Sequence, residues 1–368
     1  MQLIICVHHH ILTKIVLYDR ITTNKGVTIL INISERINDS IPFDIRELLQ
    51  SGNYSDSQIR YIIKMPWAAP DTPEIDVNFA KDTLEKSHYG MNDIKSQILR
   101  YIVCQKHLGH SYGDVLLLVG PPGVGKTSIA KSVASAMKRE FVKISLAGMS
   151  DAGPLRGYDT NYQSPKPGHI IDAIIKTNSF CPLILLDEID KLGKDSSNGN
   201  PAYVLLDILD SDRTQFIDAM IDIPIDLSNI VFIATANSLR DISPILLNRF
   251  NVIKLGAYTR EEKIVIATNY LIPSLISEYK VETYDLEFTK ELIEHIVDNH
   301  AHEPGIRSLK RQLVLLIESI ITAIYLGQSI SHKINIATYN HLLGITIPNT
   351  DKKSKKKKVT SKPVKYNY

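Results

Sequence analysis

Apolar positions along the chain fall into distinct regimes. Over Val115–Val119, Leu183–Leu186 and Ile230–Ala234 they run without alternation, the pattern of strands buried on both faces. Phe141–Ser145 and Val252–Leu255 are two further strand candidates. Between the strands, Ile129, Val133 and Met137 recur at four-residue spacing, which predicts an amphipathic helix laid on a sheet. A helical pattern also covers Asn78 to His107, with Ile94, Ile98 and Tyr101 or Ile102 on one face and a bend at His88-Tyr89-Gly90-Met91. From Thr259 the pattern is all-helical. Thr259 and Glu262 form a capping box, Leu292, Ile293, Ile296 and Val297 mark one helix, and Leu309, Leu313, Leu316, Ile317, Ile320 and Ile324 a longer one.

Strands alternating with helices predict an α/β fold with a mostly parallel sheet whose carboxyl edge receives ligands, followed by a small all-helical lid. Pro66 to Pro73 is a proline-rich break. The expected division is an N-terminal extension without a readable motif at 1–60 and a helical lead-in at 61–110. An α/β domain at 111–257, a lid at 258–345 and a lysine-rich tail at 346–368 follow.

The apolar run 115–119 leads into Gly120-Pro121-Pro122-Gly123-Val124-Gly125-Lys126-Thr127 and then into the helix carrying Ile129. Strand, glycine-rich turn and helix are the context in which G-x-x-x-x-G-K-[ST] means a phosphate-binding loop. Glycines at 120, 123 and 125 remove Cβ atoms that would keep the backbone from wrapping a triphosphate. The helix start offers unpaired N–H groups, Lys126 reaches the outer phosphates and the Thr127 hydroxyl ligates Mg²⁺. The cofactors expected are ATP and Mg²⁺.

Two later strands end in polar groups at the same edge, Asp187-Glu188 after 183–186 and Asn237 after Ala236. Asp187 is expected to hold the metal beside Thr127, and Glu188 to orient and deprotonate the attacking water. The bland alternative is a solvated acid pair capping a helix.

Composition narrows the setting. The chain has 368 residues, 22% charged and 44% hydrophobic, ordinary for a globular protein with two or three domains. Cys6, Cys104 and Cys181 are far apart and form no C-x-x-C, which argues for a reducing intracellular compartment, cytoplasmic or nuclear. No apolar run is long enough to cross a membrane, and Met1–Val7 lacks a basic leader. His8, His9 and His10 read as an exposed run, with metal binding the alternative. Residues 351–368 hold eight lysines and one aspartate, so the remainder carries about −5 of the net +2. The run Lys352–Lys358 is expected to be disordered.

These motifs together resemble the AAA+ ATPases, and among them the ATPase module of Lon-type proteases. The resemblance covers roughly residues 60–345. It rests on Tyr61–Trp67, His88-Tyr89-Gly90, Gly120–Thr127, Ile144–Gly148, Leu155-Arg156-Gly157, Leu185–Lys191, Ile233–Asn237, Leu246–Arg249 and Pro304–Leu309. It implies a homo-hexameric ring with sites between subunits. By the same resemblance Asn237 senses the nucleotide, Arg249 is the finger reaching a neighbour's γ-phosphate, Arg307 contacts phosphate from the lid, and His88 and Tyr89 lie against adenine. Tyr162, in the stretch Asn161–Gly168, matches the aromatic that grips polypeptide in the ring's pore. Blander readings stand beside these: a surface ion pair for Arg249, a helix-face charge for Arg307, and packing on its own subunit for Tyr162.

The sequence also departs from the family. Asn248 stands where an acid usually precedes the finger arginine, and after Gly344 a lysine-rich segment is expected where the family continues into a proteolytic domain. The expected activity is ATP hydrolysis coupled to unfolding or remodelling of polypeptides, without a peptidase of its own; the candidate partners are further copies of the chain, polypeptide substrates and a separate protease. A regulatory subunit joining a full-length ring is the alternative. A nucleic-acid-associated motor using the lysine tail is a third; no aromatic residues interleave with that tail, which speaks for nonspecific contact, a nuclear address or solubility.

Overall fold

Runs with no polar face must be covered on both sides, and the sheet is built accordingly. The computed structural model describes residues 18–22, 28–32, 41–50, 54–67, 72–109, 115–193, 199–210 and 212–344. Five parallel strands lie in the order Phe141–Ser145, Leu183–Asp187, Val231–Ala236, Val115–Val119 and Phe250–Lys254. The three inner strands are buried at every position, whereas the two outer ones alternate with exposed residues.

Neighbouring residues of one strand serve opposite layers. Leu116 and Leu118 join Ile129 and Val133 of the helix Lys126–Ala136, together with Leu84 and Ile98 of the helices Val77–Ser87 and Asn92–Leu108. Leu117 and Val119 join Ile170 and Ile174 of the helix His169–Thr177 and Leu205 of the helix Pro201–Ile208. Each fully buried side chain of this size contributes about 1.5–3 kcal/mol. Register pairs Ser145 with Asp187, Leu186 with Ala234 and Val119 with Ala236, so the chemistry-bearing ends of three strands come out at one edge.

Several expectations need correction. Residues 41–65 are not a separate extension: Ile41, Ile45, Leu49, Ile59, Ile62 and Met65 belong to the same core as Leu117. The division expected at 60/61 falls inside the helix Asp56–Lys64, whose start is set by a capping box between Ser55 and Gln58 that sequence reading passed over. Earlier still, Tyr18–Thr22 and Thr28–Asn32 pair as an antiparallel hairpin. The helical pattern 78–107 is two helices, separated at Met91 by a left-handed backbone (φ 58°).

The described residues up to Tyr258 form one compact unit and those from Thr259 a second. The second opens with the helix Arg260–Ile266, capped by Thr259 and Glu262 as the sequence predicts. The helices Lys290–His300, Arg307–Tyr325 and Ile336–Leu342 enclose Leu292, Ile296, Leu313, Leu316, Ile320 and Tyr339. It is not all-helical. Glu287-Phe288 and Lys333-Ile334 pair as short parallel strands, because Phe288 and Ile334 bring two loop ends into that core. Buried Lys263 donates to the carbonyls of Ala301 (2.7 Å) and Glu303 (2.5 Å), closing the end of the helix 290–300. Arg307, exposed, begins the next helix, where Glu303 accepts the N–H of Ser308.

No helix among the described residues is long and apolar enough to cross a membrane. His8–His10, Cys6 and the lysine-rich run 352–358 lie outside the described residues.

Candidate nucleotide-phosphate site

The loop's glycines have different duties. Gly123 (φ 81°) and Gly125 (φ 99°) take left-handed backbone conformations that side chains disfavour. Gly120 does not. A Cβ there would sit 2.5 Å from the carbonyl oxygen of Leu255, so glycine is required by close packing against the last strand's end, a different reason from clearing room for phosphate. Val124 is buried, and its carbonyl accepts the Tyr258 hydroxyl at 3.0 Å. Pro121 and Pro122 form the outward turn. The helix beginning at Lys126 has Gly125 as its N-cap with no side-chain cap, which leaves first-turn N–H groups, including that of Thr127, available to an anion.

Lys126 folds back over this loop. Its Nζ donates to the carbonyls of Gly120 (2.6 Å) and Pro121 (3.0 Å) and to Asn237 Oδ1 (2.8 Å). Burial lowers the pKa of its ammonium, opposed by the nearby carboxylates of Asp190, Asp187 and Glu188. Asn237 is itself held, its N–H donating to Asp190 Oδ2 at 3.2 Å.

The two acids are organised by a residue to which sequence reading gave no role. Thr235, fully buried in the strand Val231–Ala236, donates its hydroxyl to Asp187 Oδ1 at 2.5 Å and accepts the Glu188 N–H at 3.0 Å. Glu188 has a left-handed backbone (φ 60°, ψ 49°), uncommon for a side-chain-bearing residue and worth roughly 1–3 kcal/mol of strain. That turn ends the strand just after Asp187. Lys143, on the adjacent strand, forms an ion pair with Asp187 Oδ2 at 2.5 Å. A hydroxyl in an otherwise apolar run was the available signal for Thr235; Asp190 and Lys143 carry none without the sheet register.

His88 ends the helix Val77–Ser87, its Nδ1 2.8 Å from Ser87 Oγ. Its ring edge lies beside Gly125, and its Nε2 is buried without a hydrogen-bond partner. Burial first, then the charge of Lys95, pushes its pKa down to about 4. Tyr89, next to it, is exposed.

Arg249 is not brought to this site. Its carbonyl accepts the Val115 N–H, which places it at the start of the strand whose far end opens the phosphate loop, about 16 Å of strand away. Its guanidinium makes a half-exposed ion pair with Asp210 at 2.9 Å. Tyr162 is also remote in sequence and half-exposed, on a loop closed by antiparallel bridging between Tyr158 and Lys166; its ring meets Tyr158 edge-on, centroids 5.2 Å apart. Arg307 belongs to the second unit.

Comparison with known proteins agrees with this geometry. Residues 116–256 match the ATPase family associated with various cellular activities (AAA). The Lon protease of Clostridium acetobutylicum is 37% identical over 324 residues, 86% of this chain and 42% of that protein. The Lon protease of Wolbachia pipientis is 40% identical over 285 residues, 77% of this chain and 34% of that protein. A mitochondrial Lon protease homolog of Schizosaccharomyces pombe is 39% identical over 262 residues, 71% and 24%. The chain thus spans less than half the length of these relatives. A phosphate loop, two acids at the end of the strand next but one and an amide at the end of the strand between, within a stretch matched end to end, identify this chain as a member of the AAA family of ATPases, similar to the Lon-type branch.

Proposed function

We propose that the chain hydrolyses ATP with Mg²⁺ and couples turnover to the unfolding or remodelling of polypeptides, as one copy in a ring. The observation that carries the reading is the convergence of Lys126, Asn237, Asp187 and Glu188 at one sheet edge, linked by Thr235 and Asp190.

The residues present fit the nucleotide. Lys126 has exchangeable loop carbonyls as partners, so its ammonium is free to move to phosphate oxygens. His88 Nε2, buried and unpartnered, is an acceptor for an adenine amino group when Nδ1 carries the proton, and its low pKa keeps the ring neutral. Tyr89 flanks it. Thr127 and Asp187 are the donors for Mg²⁺, which keeps several waters and takes few protein ligands. Bound there, the ion would neutralise charge on the phosphate oxygens. Lys143 would give up its contact with Asp187 as that happens. Glu188 holds the attacking water and accepts its proton.

Arg249 cannot serve the site of its own copy across the length of the strand, which supports its action on a second copy's phosphate. Arg307 enters this reading from the family resemblance alone. Tyr162, exposed on its bridged loop, is the group proposed to grip polypeptide.

The test is steady-state ATP turnover against protein concentration, with and without casein as an unfolded polypeptide. Turnover per chain should rise with concentration and with casein, and Glu188→Gln should slow it by about 10²–10⁴ while nucleotide still binds. A purified chain that consumes no ATP at any concentration would sink the reading.

A further inference from the structure

Gly168 starts the helix His169–Thr177 and ends the loop carrying Tyr162. It can carry no side chain, since a Cβ would overlap the Leu155 carbonyl, and it therefore cannot supply its own cap. The residue that holds this start in place comes from another segment. Asp218, fully buried between the strands Phe216–Ile217 and Pro224–Ile225, accepts the Gly168 N–H on Oδ2 at 2.7 Å. Its Oδ1 accepts the N–H groups of Met220 (2.8 Å) and Ile221 (3.2 Å).

The other end of the loop meets the same carboxylate. Gly157 (φ 87°) precedes Tyr158, and a Cβ on it would lie 2.6 Å from Asp218 Oδ1. Beside it the Ala219 N–H donates to the Arg156 carbonyl at 2.7 Å. Both feet of the Tyr158–Lys166 bridge thus stand on one acid from the hairpin 216–225. Three N–H donors and a helix N-terminus favour its charged form, while burial first, and then Asp172 on the helix 169–177, oppose it.

We propose that Asp218 is a positioning residue: its carboxylate clamps the two ends of the loop 158–167 and so sets how Tyr162 is presented to a polypeptide. The consequence for polypeptide rests on the proposed function; the clamp itself does not. A carboxylate that holds three backbone donors is not replaced by an amide, which turns at least one N–H toward another.

The experiment compares the full chain with its Asp218→Asn and Tyr162→Ala variants. Hydrogen exchange is read over 158–168, and the casein concentration for half-maximal stimulation of ATP turnover is read in parallel. Asp218→Asn should speed exchange in 158–168 by about tenfold or more, with the central strands as protected as before, and should raise the half-stimulating casein concentration as Tyr162→Ala does. Exchange in 158–168 equal to that of the unaltered chain overturns the proposal, as does an unaltered casein response in Asp218→Asn where Tyr162→Ala has lost it. If Tyr162→Ala keeps the full casein response, the gripping role falls, and exchange alone then decides the clamp. Should Asp218→Asn fail to fold, Gly157→Ala, which pushes a methyl group against the same carboxylate, is read in the same way.

Discussion

Lys126 Nζ and Asn237 Oδ1 lie 2.8 Å apart although the two residues are 111 positions apart in the chain. The contact follows from register: Val119 pairs with Ala236, so the residues just beyond each strand end emerge side by side. Asp190, from the turn after the strand Leu183–Asp187, then fixes Asn237 through its N–H. Three segments meet here because three strand ends share one edge.

Thr235 is the link between the acids, and Thr235→Val tests it. The substitution keeps the shape but leaves the Glu188 N–H and Asp187 Oδ1 without their partner. Stability should fall by about 1–3 kcal/mol in urea unfolding, and ATP turnover should fall with it at temperatures where the variant is folded. A variant equal to the unaltered chain in both would deny Thr235 this role.

Gly120→Ala should destabilise the protein through overlap with Leu255 by about 1–3 kcal/mol, since its backbone is one that alanine adopts freely. Gly256→Ala is the control: its Cβ meets nothing within 4 Å, and its melting temperature should stay near that of the unaltered chain. Equal melting temperatures for the two variants would mean the close approach at Leu255 relaxes without cost.

Arg249→Ala separates a surface ion pair from a finger. The exposed pair with Asp210 is worth about 1 kcal/mol or less, so unfolding should barely change. Turnover at assembling concentrations should drop by up to about 10³–10⁵. Unchanged turnover would leave only the ion pair.

Two buried groups give opposite pH dependences. Burial raises Asp218 to about 6, so the folded chain holds a proton there that the unfolded chain has lost; stability from this group grows as pH falls from about 6 toward 4. His88, lowered to about 4, does the reverse: the unfolded chain takes the proton first, and stability is lost as pH falls through 6.5 toward 4. Comparing Asp218→Asn with the unaltered chain removes the histidine from the difference. The unaltered chain should gain on the variant by about 2 kcal/mol between pH 7 and 4, read by thermal melting. A constant gap would show that Asp218 ionises as an exposed acid does.

Much of this protein is determined by local pattern. Runs such as 115–119 and 231–234 read as strands covered on both faces and are so in the fold, the loop 120–127 has one well-defined use of its residue types, and Thr259 with Glu262 starts a helix as written. Such features need only neighbours in sequence. The segments in 41–65 belong to the main core although no motif marks them, because an apolar face such as Ile45 and Leu49 or Ile59 and Ile62 shows which side of a short helix is buried but not what covers it. The roles of Thr235, Asp190, Lys143 and Asp218 were decided by tertiary structure alone. A hydrogen bond depends on distances of a few tenths of an ångström between atoms that strand order and register bring together, and neither order nor register is written in any one stretch of the chain.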